Sequence, residues 1–204
     1  MIFVWRGEVK VIYENNGEAF WMKEFDCVLQ PSKIRHRVLE NTDNFSVIEI
    51  ASPAQHYTFK EHLITLPTSS IDKDKIYQGQ KFCFFRFSES KWNENISKDS
   101  FYLSLFPSFT QFFDIKDTCI GECTNNFSQV HLLKYKCDVP KEIDLFYDDS
   151  HEFSFFFLLK GNNSHLNKNL LNQGDSFVIP PKEHYILLPS QDSIFLHVFI
   201  KSYI

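Results

Sequence analysis

The main pattern along the chain is an alternation of apolar and polar residues with a period of two, which is typical of half-buried β-strands. Val9, Val11 and Tyr13 form the first such stretch, and Asn15-Asn16-Gly17 after it predicts a tight hairpin turn. Further strands or extended segments are predicted at Ala19–Met22, Cys27–Leu29, Ser46–Ala51, Phe82–Phe84, Phe101–Phe106, Ser128–Lys136, Phe153–Leu159, Ser176–Ile179 and Ile194–Ile200.

Stretches with helical periodicity are scarce. Residues 53–66 are expected to hold a short helix or a turn, and residues 72–80 form a polar connector. Many short strands separated by turn residues predict an all-β fold, either a barrel or a sandwich.

The chain also contains an internal repeat, which predicts two homologous halves. Four matches occur in the same order: Ile2–Gly7 with Phe156–Gly161, Asp26–Pro31 with Asp175–Pro180, His36 with His184, and Ser46–Ile50 with Ile194–Val198. We therefore predict three segments, namely a half at 1–66, a connector with Phe-rich strands at 67–108 and a second half at 109–204.

Both halves resemble the cupin superfamily. Gly174–His184 is similar to the second cupin motif, with a glycine, an apolar run, a proline and then a histidine, and Phe153–Gly161 resembles the end of the first motif. In the first half, Asp26–Pro31 followed by His36 resembles the second motif again. The resemblance implies cupin-type β-barrels, that is, double-stranded β-helices or jelly rolls. It also implies that the first barrel is truncated, because its repeat starts at Ile2.

Cupin enzymes hold a divalent metal (iron, manganese, nickel or zinc) on two His and a Glu from the first motif and a His from the second. In the second half, the Glu position falls on Ser154, and the two His positions fall on Asp148 and Ser150 or on Tyr147 and Asp149. Only the His of the second motif is kept, as His184. We therefore expect an incomplete metal site, with His184, His151 and His36 as the candidate ligands.

The same resemblance supplies the candidate pocket residues. His36 and His184 occupy equivalent positions, and Glu49 and His197 are equivalent on the strand that follows. Whether Glu49 and His197 face the cavity or the outside stays open, because alternation alone does not distinguish the two faces. His151, Glu152 and Asp149 lie close to the degenerate first motif. The sequence does not identify catalytic residues.

The charge and the hydrophobicity of the chain argue against several classes of function. The net charge of −5 comes without a basic stripe, which argues against nucleic acid as a partner. No apolar run is long enough to span a membrane, and Arg6, Glu8 and Lys10 interrupt any signal-peptide core, so we predict a cytoplasmic protein with reduced cysteines. The ratio of 17 Lys to 4 Arg is typical of an AT-rich genome, and we expect a bacterial source.

Taken together, these features predict a cupin that binds a small polar molecule, of sugar or carboxylate type, in its second barrel. One alternative is a metal-dependent isomerase, dioxygenase or lyase. The other is a metal-free sugar epimerase with His184 or His151 as its base. The truncated first barrel leaves a strand edge, so we expect a homodimer, with residues 82–106 or a second subunit paired to Ile2–Trp5.

Overall fold

The computed structural model describes residues 1–55, 57–60, 65–94, 102–103, 106–149 and 151–201. The chain divides into two compact units, of which unit 1 comprises residues 1–90 and 123–125 and unit 2 comprises residues 91–122 and 126–204. Each unit is built from antiparallel β-sheets, and the prediction of an all-β fold is confirmed.

Unit 1 contains nine short strands in three sheets. The strands are β1 (Ile2–Arg6), β2 (Val9–Tyr13), β3 (Phe20–Met22), β4 (Cys27–Leu29), β5 (His36–Asn41), β6 (Ser46–Glu49), β7 (Ile76–Tyr77), β8 (Gln80–Lys81) and β9 (Cys83–Phe85). Their orders are β6-β1-β4-β9, β3-β2-β5 and β7-β8. Val4, Val11, Tyr13, Met22 and Val28 are buried in the core between the two larger sheets.

The first strand has hydrogen-bonded partners on both sides within unit 1. Strand β1 pairs with β4 and with β6, and Met1 extends the second ladder through its amino group and the carbonyl oxygen of Ile50, which are 2.6 Å apart. The expectation that residues 82–106 or a second subunit would pair with Ile2–Trp5 was therefore wrong. Strand β9 lies in that central segment but adds to β4 instead, because β6 already covers the free edge of β1.

Within the described residues, Tyr102 and Leu103 of unit 2 are helical, and the unit further contains nine strands and two one-turn helices. They are α1 (Phe109–Phe112), β10 (Phe113–Asp117), α2 (Ile120–Cys123), β11 (Ser128–Tyr135), β12 (Ile143–Leu145), β13 (His151–Lys160), β14 (Ser164–Leu166), β15 (Asn169–Leu171), β16 (Ser176–Ile179), β17 (Tyr185–Leu188) and β18 (Ile194–Lys201). They form a five-stranded sheet, β10-β11-β18-β13-β16, and a four-stranded sheet, β12-β17-β14-β15.

The core of unit 2 is rich in aromatic rings. Phe156, Phe195, Phe199 and Phe113 are fully buried, and Leu187 joins them from the smaller sheet. Strand β18 is buried along nearly its whole length because it lies at the centre of the larger sheet, between β11 and β13.

Two local predictions for the connecting segments need correction. Phe101–Phe106 was expected to be extended, but Tyr102 and Leu103 are helical, while 101 and 104–105 lie outside the described residues. The segment 72–80 was predicted as a connector and instead forms most of the β7–β8 hairpin, whose turn has positive φ at Gln78 and Gly79.

The short helix or turn expected in 53–66 falls partly on residues that are not described, namely 56 and 61–64. Residues 53–55, 57–60 and 65–66 contain no helix. Among the described parts of the chain, no helix is long and apolar enough to cross a membrane.

Candidate functional site

Among the buried polar side chains of unit 2, five form a group that we call the buried polar cluster: Tyr102, His131, Tyr147, Ser154 and His197. All five are at least nine-tenths buried. Their position follows from strand register. His131 on β11 and His197 on β18 are direct cross-strand partners, and residues paired in this way project from the same face of a sheet. Ser154 reaches this face from β13.

Both ring nitrogens of His197 are engaged. The Tyr102 hydroxyl lies 2.7 Å from Nδ1, and the Ser154 hydroxyl lies 2.5 Å from Nε2. A neutral imidazole has one donor and one acceptor nitrogen, so one hydroxyl donates to His197 and the other accepts from it. The ring of Phe156 stacks on the imidazole with 4.2 Å between centroids. His197 is therefore held in place from three sides.

His131 is held less completely. The ring of Tyr102 stacks on it with centroids 3.6 Å apart, and its Nε2 lies 3.6 Å from Oδ1 of Asp117. Its Nδ1 atom is buried without a hydrogen-bond partner among the described residues. Burial lowers the pKa of His131 to about 3, and burial together with His131 lowers the pKa of His197 well below its usual value. Both imidazoles are neutral at physiological pH.

Tyr147 completes the cluster. Burial raises the pKa of its phenol, which stays protonated, and the nearby Ser154 hydroxyl opposes that shift. No described group is placed with the geometry of a hydrogen bond to the Tyr147 hydroxyl. The cluster thus contains two buried polar atoms, the Tyr147 hydroxyl and His131 Nδ1, whose hydrogen-bonding capacity is unused.

Aromatic rings surround these polar groups. Phe106 packs edge-on against His197 and Tyr147, with centroids 5.1 Å apart in each case, and Phe109 lies 5.8 Å from His197. The environment is therefore apolar on most sides, with a few polar atoms converging on one region.

Of the seven candidate pocket residues, six have described side chains, and His197 alone among these six is buried. His184 is exposed, stacks on Phe146 with 4.3 Å between centroids and lies 3.3 Å from Oδ1 of Asp144. Asp149 is exposed and forms an ion pair with Lys182 at 2.6 Å. Glu152 is also exposed.

The remaining candidates lie at the start of β13 and in unit 1. His151 is the first residue of β13 and a bulge follows it, but its side chain lies outside the described part of the chain. His36 is exposed and stacks on Tyr13 at 5.4 Å, and Glu49 is exposed at the end of β6.

Four members of the cluster were not among the candidates. Tyr147 and Ser154 occupy positions where the resemblance places metal ligands. Their positions could therefore have marked them as candidates, but tyrosine and serine are not the residue types that the family uses as ligands. His131 shares one face of a predicted strand with Gln129 and Leu133, but its pairing with His197 depends on strand register. Tyr102 lies in the connector, where no motif marks it.

The donor set of the cluster does not suit a resident divalent metal. A metal ligand needs a free imidazole lone pair, and both nitrogens of His197 are already bonded to hydroxyls. Within the described residues, no three His, Cys, Asp or Glu side chains form a group that could hold a metal ion. Hydroxyl groups replace the carboxylate and imidazole donors that the resemblance implies at two positions.

Solved structures resemble this chain over most of its length. Salicylate 1,2-dioxygenase from Pseudaminobacter salicylatoxidans superposes with a TM-score of 0.58 at 14% identity, covering 98% of this chain and 64% of that one. A mutant of that enzyme gives 0.60 at 15% identity, with 98% and 63% covered. This chain thus spans just under two thirds of the dioxygenase.

A cupin described as RmlC-like, from Shewanella frigidimarina, covers 58% of this chain and 90% of its own length at 17% identity, with a TM-score of 0.36. No model of a known protein family and no curated protein sequence matches the chain.

Proposed function

We propose that this chain, whose fold is that of the cupins, binds a small polar molecule of carboxylate or sugar type in the interior of unit 2. In this proposal the protein's own hydrogen-bonding groups hold the ligand and no metal takes part. The observation that carries the proposal is the pair of unused polar atoms in the buried polar cluster, His131 Nδ1 and the Tyr147 hydroxyl.

An unpaired polar atom in an apolar interior is costly, at about 1–3 kcal/mol each. Two of them in one cluster would be hard to retain if the cluster served only to pack the barrel. A ligand hydroxyl or carboxylate can accept from the Tyr147 hydroxyl. A ligand hydroxyl can donate to His131 Nδ1 when Nε2 carries the proton, and a carboxylate can accept from Nδ1 when Nδ1 carries it. Binding would therefore relieve a cost that the unliganded interior carries.

The surrounding rings favour an aromatic carboxylate over a sugar. Phe106, Phe109 and Phe156 line the cluster, and Tyr102 lies flat on His131 with its hydroxyl on His197. Stacking on His131 and a hydroxyl contact with His197 are also contacts that a hydroxybenzoate can make. We infer that Tyr102 acts as an internal stand-in for such a ligand and must move aside when one binds.

The proposal is tested by titrating the protein with salicylate and with D-gluconate, using calorimetry. Tyr147→Phe removes one of the two unused polar atoms and should weaken salicylate binding by roughly tenfold, since a buried hydrogen bond contributes about 1 kcal/mol or more. Tyr102→Ala should strengthen it, because the ligand no longer has to displace the tyrosine ring.

Ser176→Ala, an exposed serine of β16 in the same unit, serves as the control and should leave binding unchanged. If neither the wild-type protein nor the Tyr102→Ala variant binds salicylate or gluconate, the proposal fails.

A metal-dependent dioxygenase is the alternative, because the superposed enzyme is named for that activity and matches nearly the whole chain. The present chain could catalyse such a reaction only if it binds a metal. The hydroxyl-rich donor set of the buried polar cluster does not favour metal binding.

We also propose that the protein is a cytoplasmic homodimer with two homologous halves. Strand β5 supports the dimer, because it lies at the edge of its sheet and all six of its residues are exposed. An edge strand that exposes Val38 and Leu39 offers unpaired backbone groups and apolar surface to a second copy.

A further inference from the structure

We propose that the outer face of the β12-β17-β14-β15 sheet carries a second binding site, separate from the buried polar cluster, for a small aliphatic monocarboxylate. An open pocket of about 710 Å³ lies on this face. Its lining consists of Glu142, His165, Asn167, Lys168, Ile186 and Leu188.

Strand register shows that the pocket faces away from the core. Leu187 pairs with Ile143 and Leu166, and all three are buried, so these positions define the inner face of the sheet. Ile186 and Leu188 flank Leu187 on β17 and project to the opposite side. His165 pairs directly with Leu188 and shares that outer face.

A rigid turn holds the backbone of Lys168, which is the one lysine among the described residues that line the pocket. Asn167 and Lys168 form the two-residue turn between β14 and β15, with φ of 47° and 71°. The N–H of Asn167 donates to the carbonyl oxygen of Ile186 at 2.9 Å, and the N–H of Ile186 donates to Oδ1 of Asn167 at 2.7 Å. Two hydrogen bonds therefore clamp the turn to β17.

Lys168 is an unusual residue for its position. Asparagine tolerates positive φ well, but the second position of such a turn favours glycine, and a lysine there is strained. Lys33 and Lys182 have similar φ values, of 68° and 65°, so the backbone conformation of Lys168 does not by itself mark a site. A lysine in this position sets an ammonium group at the rim of the pocket.

The lining chemistry selects the ligand class. Lys168 supplies a positive charge for a carboxylate, and Ile186 and Leu188 supply an aliphatic floor for the rest of the molecule. His165 also lines the pocket, and its imidazole is a further hydrogen-bonding group on this face. Glu142 at the pocket lining repels a second carboxylate, which favours a monocarboxylate over a diacid.

The site is tested with hexanoate, followed by NMR on the 15N-labelled full chain. Hexanoate should shift the amide signals of Lys168, Ile186 and Leu188, and the neutral isostere hexanamide should bind at least about tenfold more weakly. Lys168→Gly should weaken hexanoate binding at least about tenfold without lowering the melting temperature, because glycine relieves the strain of the turn. If Lys168 served only the folding of the turn, the substitution would not weaken hexanoate binding while leaving the melting temperature unchanged.

Lys33→Gly is the matched control, since Lys33 has a φ of 68° and lies in unit 1. It should leave hexanoate binding unchanged, and so should Ser154→Ala, which keeps this site distinct from the barrel interior. Equal hexanoate binding by the wild-type and Lys168→Gly proteins would overturn the proposal. It would also be overturned if hexanoate left the amide signals of Ile186 and Leu188 unchanged.

Discussion

At the scale of single residues, the chemistry of unit 2 depends on two imidazoles that are buried and neutral. His197 is saturated by two hydroxyls, whereas His131 has a stacked tyrosine, a distant carboxylate and one unused nitrogen. The difference matters, because only an unused nitrogen can receive a new partner. The cluster is therefore both a packed part of the core and a place where a ligand can form hydrogen bonds.

Burial of these imidazoles predicts that the protein loses stability in mild acid. The pKa of His131 is about 3 in the folded state, against 6.5 for the free side chain. Between these values the unfolded chain binds the proton and the folded chain does not, so stability falls as the pH decreases below 6.5. From His131 alone, the loss between pH 7 and pH 4.5 should be roughly 2–3 kcal/mol.

Urea denaturation at the two pH values measures this loss. The His131→Gln variant should lose about that much less stability on acidification, and His36→Gln, which changes an exposed histidine, should behave like the wild type. Asp117 beside His131 acts in the opposite sense: burial raises its pKa, so its protonation favours the folded state at low pH. Equal acid sensitivity in His131→Gln and the wild type would contradict the account.

The sequence could point to His197 but not to its partners. Its equivalence to Glu49 marked it as a candidate, yet the two differ completely in burial, because β18 lies inside a five-stranded sheet and β6 lies at the edge of a four-stranded one. Tyr102 could not have been found from a motif. Its contact with His197 joins residues 95 positions apart and depends on how the connector packs.

At the scale of elements, the period-two pattern placed about half of the strands within one or two residues, and it gave no prediction for the strands β5, β10, β12, β14, β15 and β17. Strands β2, β4 and β16 begin and end close to the predicted residues, because each is short and bounded by turn residues. Pairing was harder to predict. The free edge of β1 is covered by β6, which comes more than 40 residues later, and alternation within a strand carries no information on such a partner.

Strand β5 leads to a prediction on assembly. If two copies pair along β5, Val38→Lys should place like charges in the interface and shift the protein toward monomers. Light scattering coupled to size-exclusion chromatography should then give a dimer mass for the wild type and a monomer mass for the variant.

The control for this experiment is Val139→Lys, which changes a comparably exposed valine in unit 2. It should remain dimeric. A wild-type protein that elutes as a monomer, or a Val38→Lys variant that stays dimeric, would show that β5 is not the interface.

At the scale of the whole molecule, the fold followed from an internal repeat and from two partial motifs. The order of the matches was enough to indicate a cupin fold, because glycine, proline and histidine spacing reflects turns that the fold needs. The activity did not follow, since the same fold hosts many chemistries and the sequence carries no complete set of residues that would identify one.

Our central proposal is that unit 2 binds no divalent metal, because it carries hydroxyl groups at two positions where the cupin resemblance implies metal ligands. The most direct measurement is the metal content of the full chain, purified without chelators, incubated with equimolar Fe²⁺, Mn²⁺, Ni²⁺ and Zn²⁺, desalted and analysed by mass spectrometry. The account predicts well below one metal ion per chain for each element. One tightly held iron, manganese, nickel or zinc ion per chain, lost on substitution of His131 or His197, would contradict it.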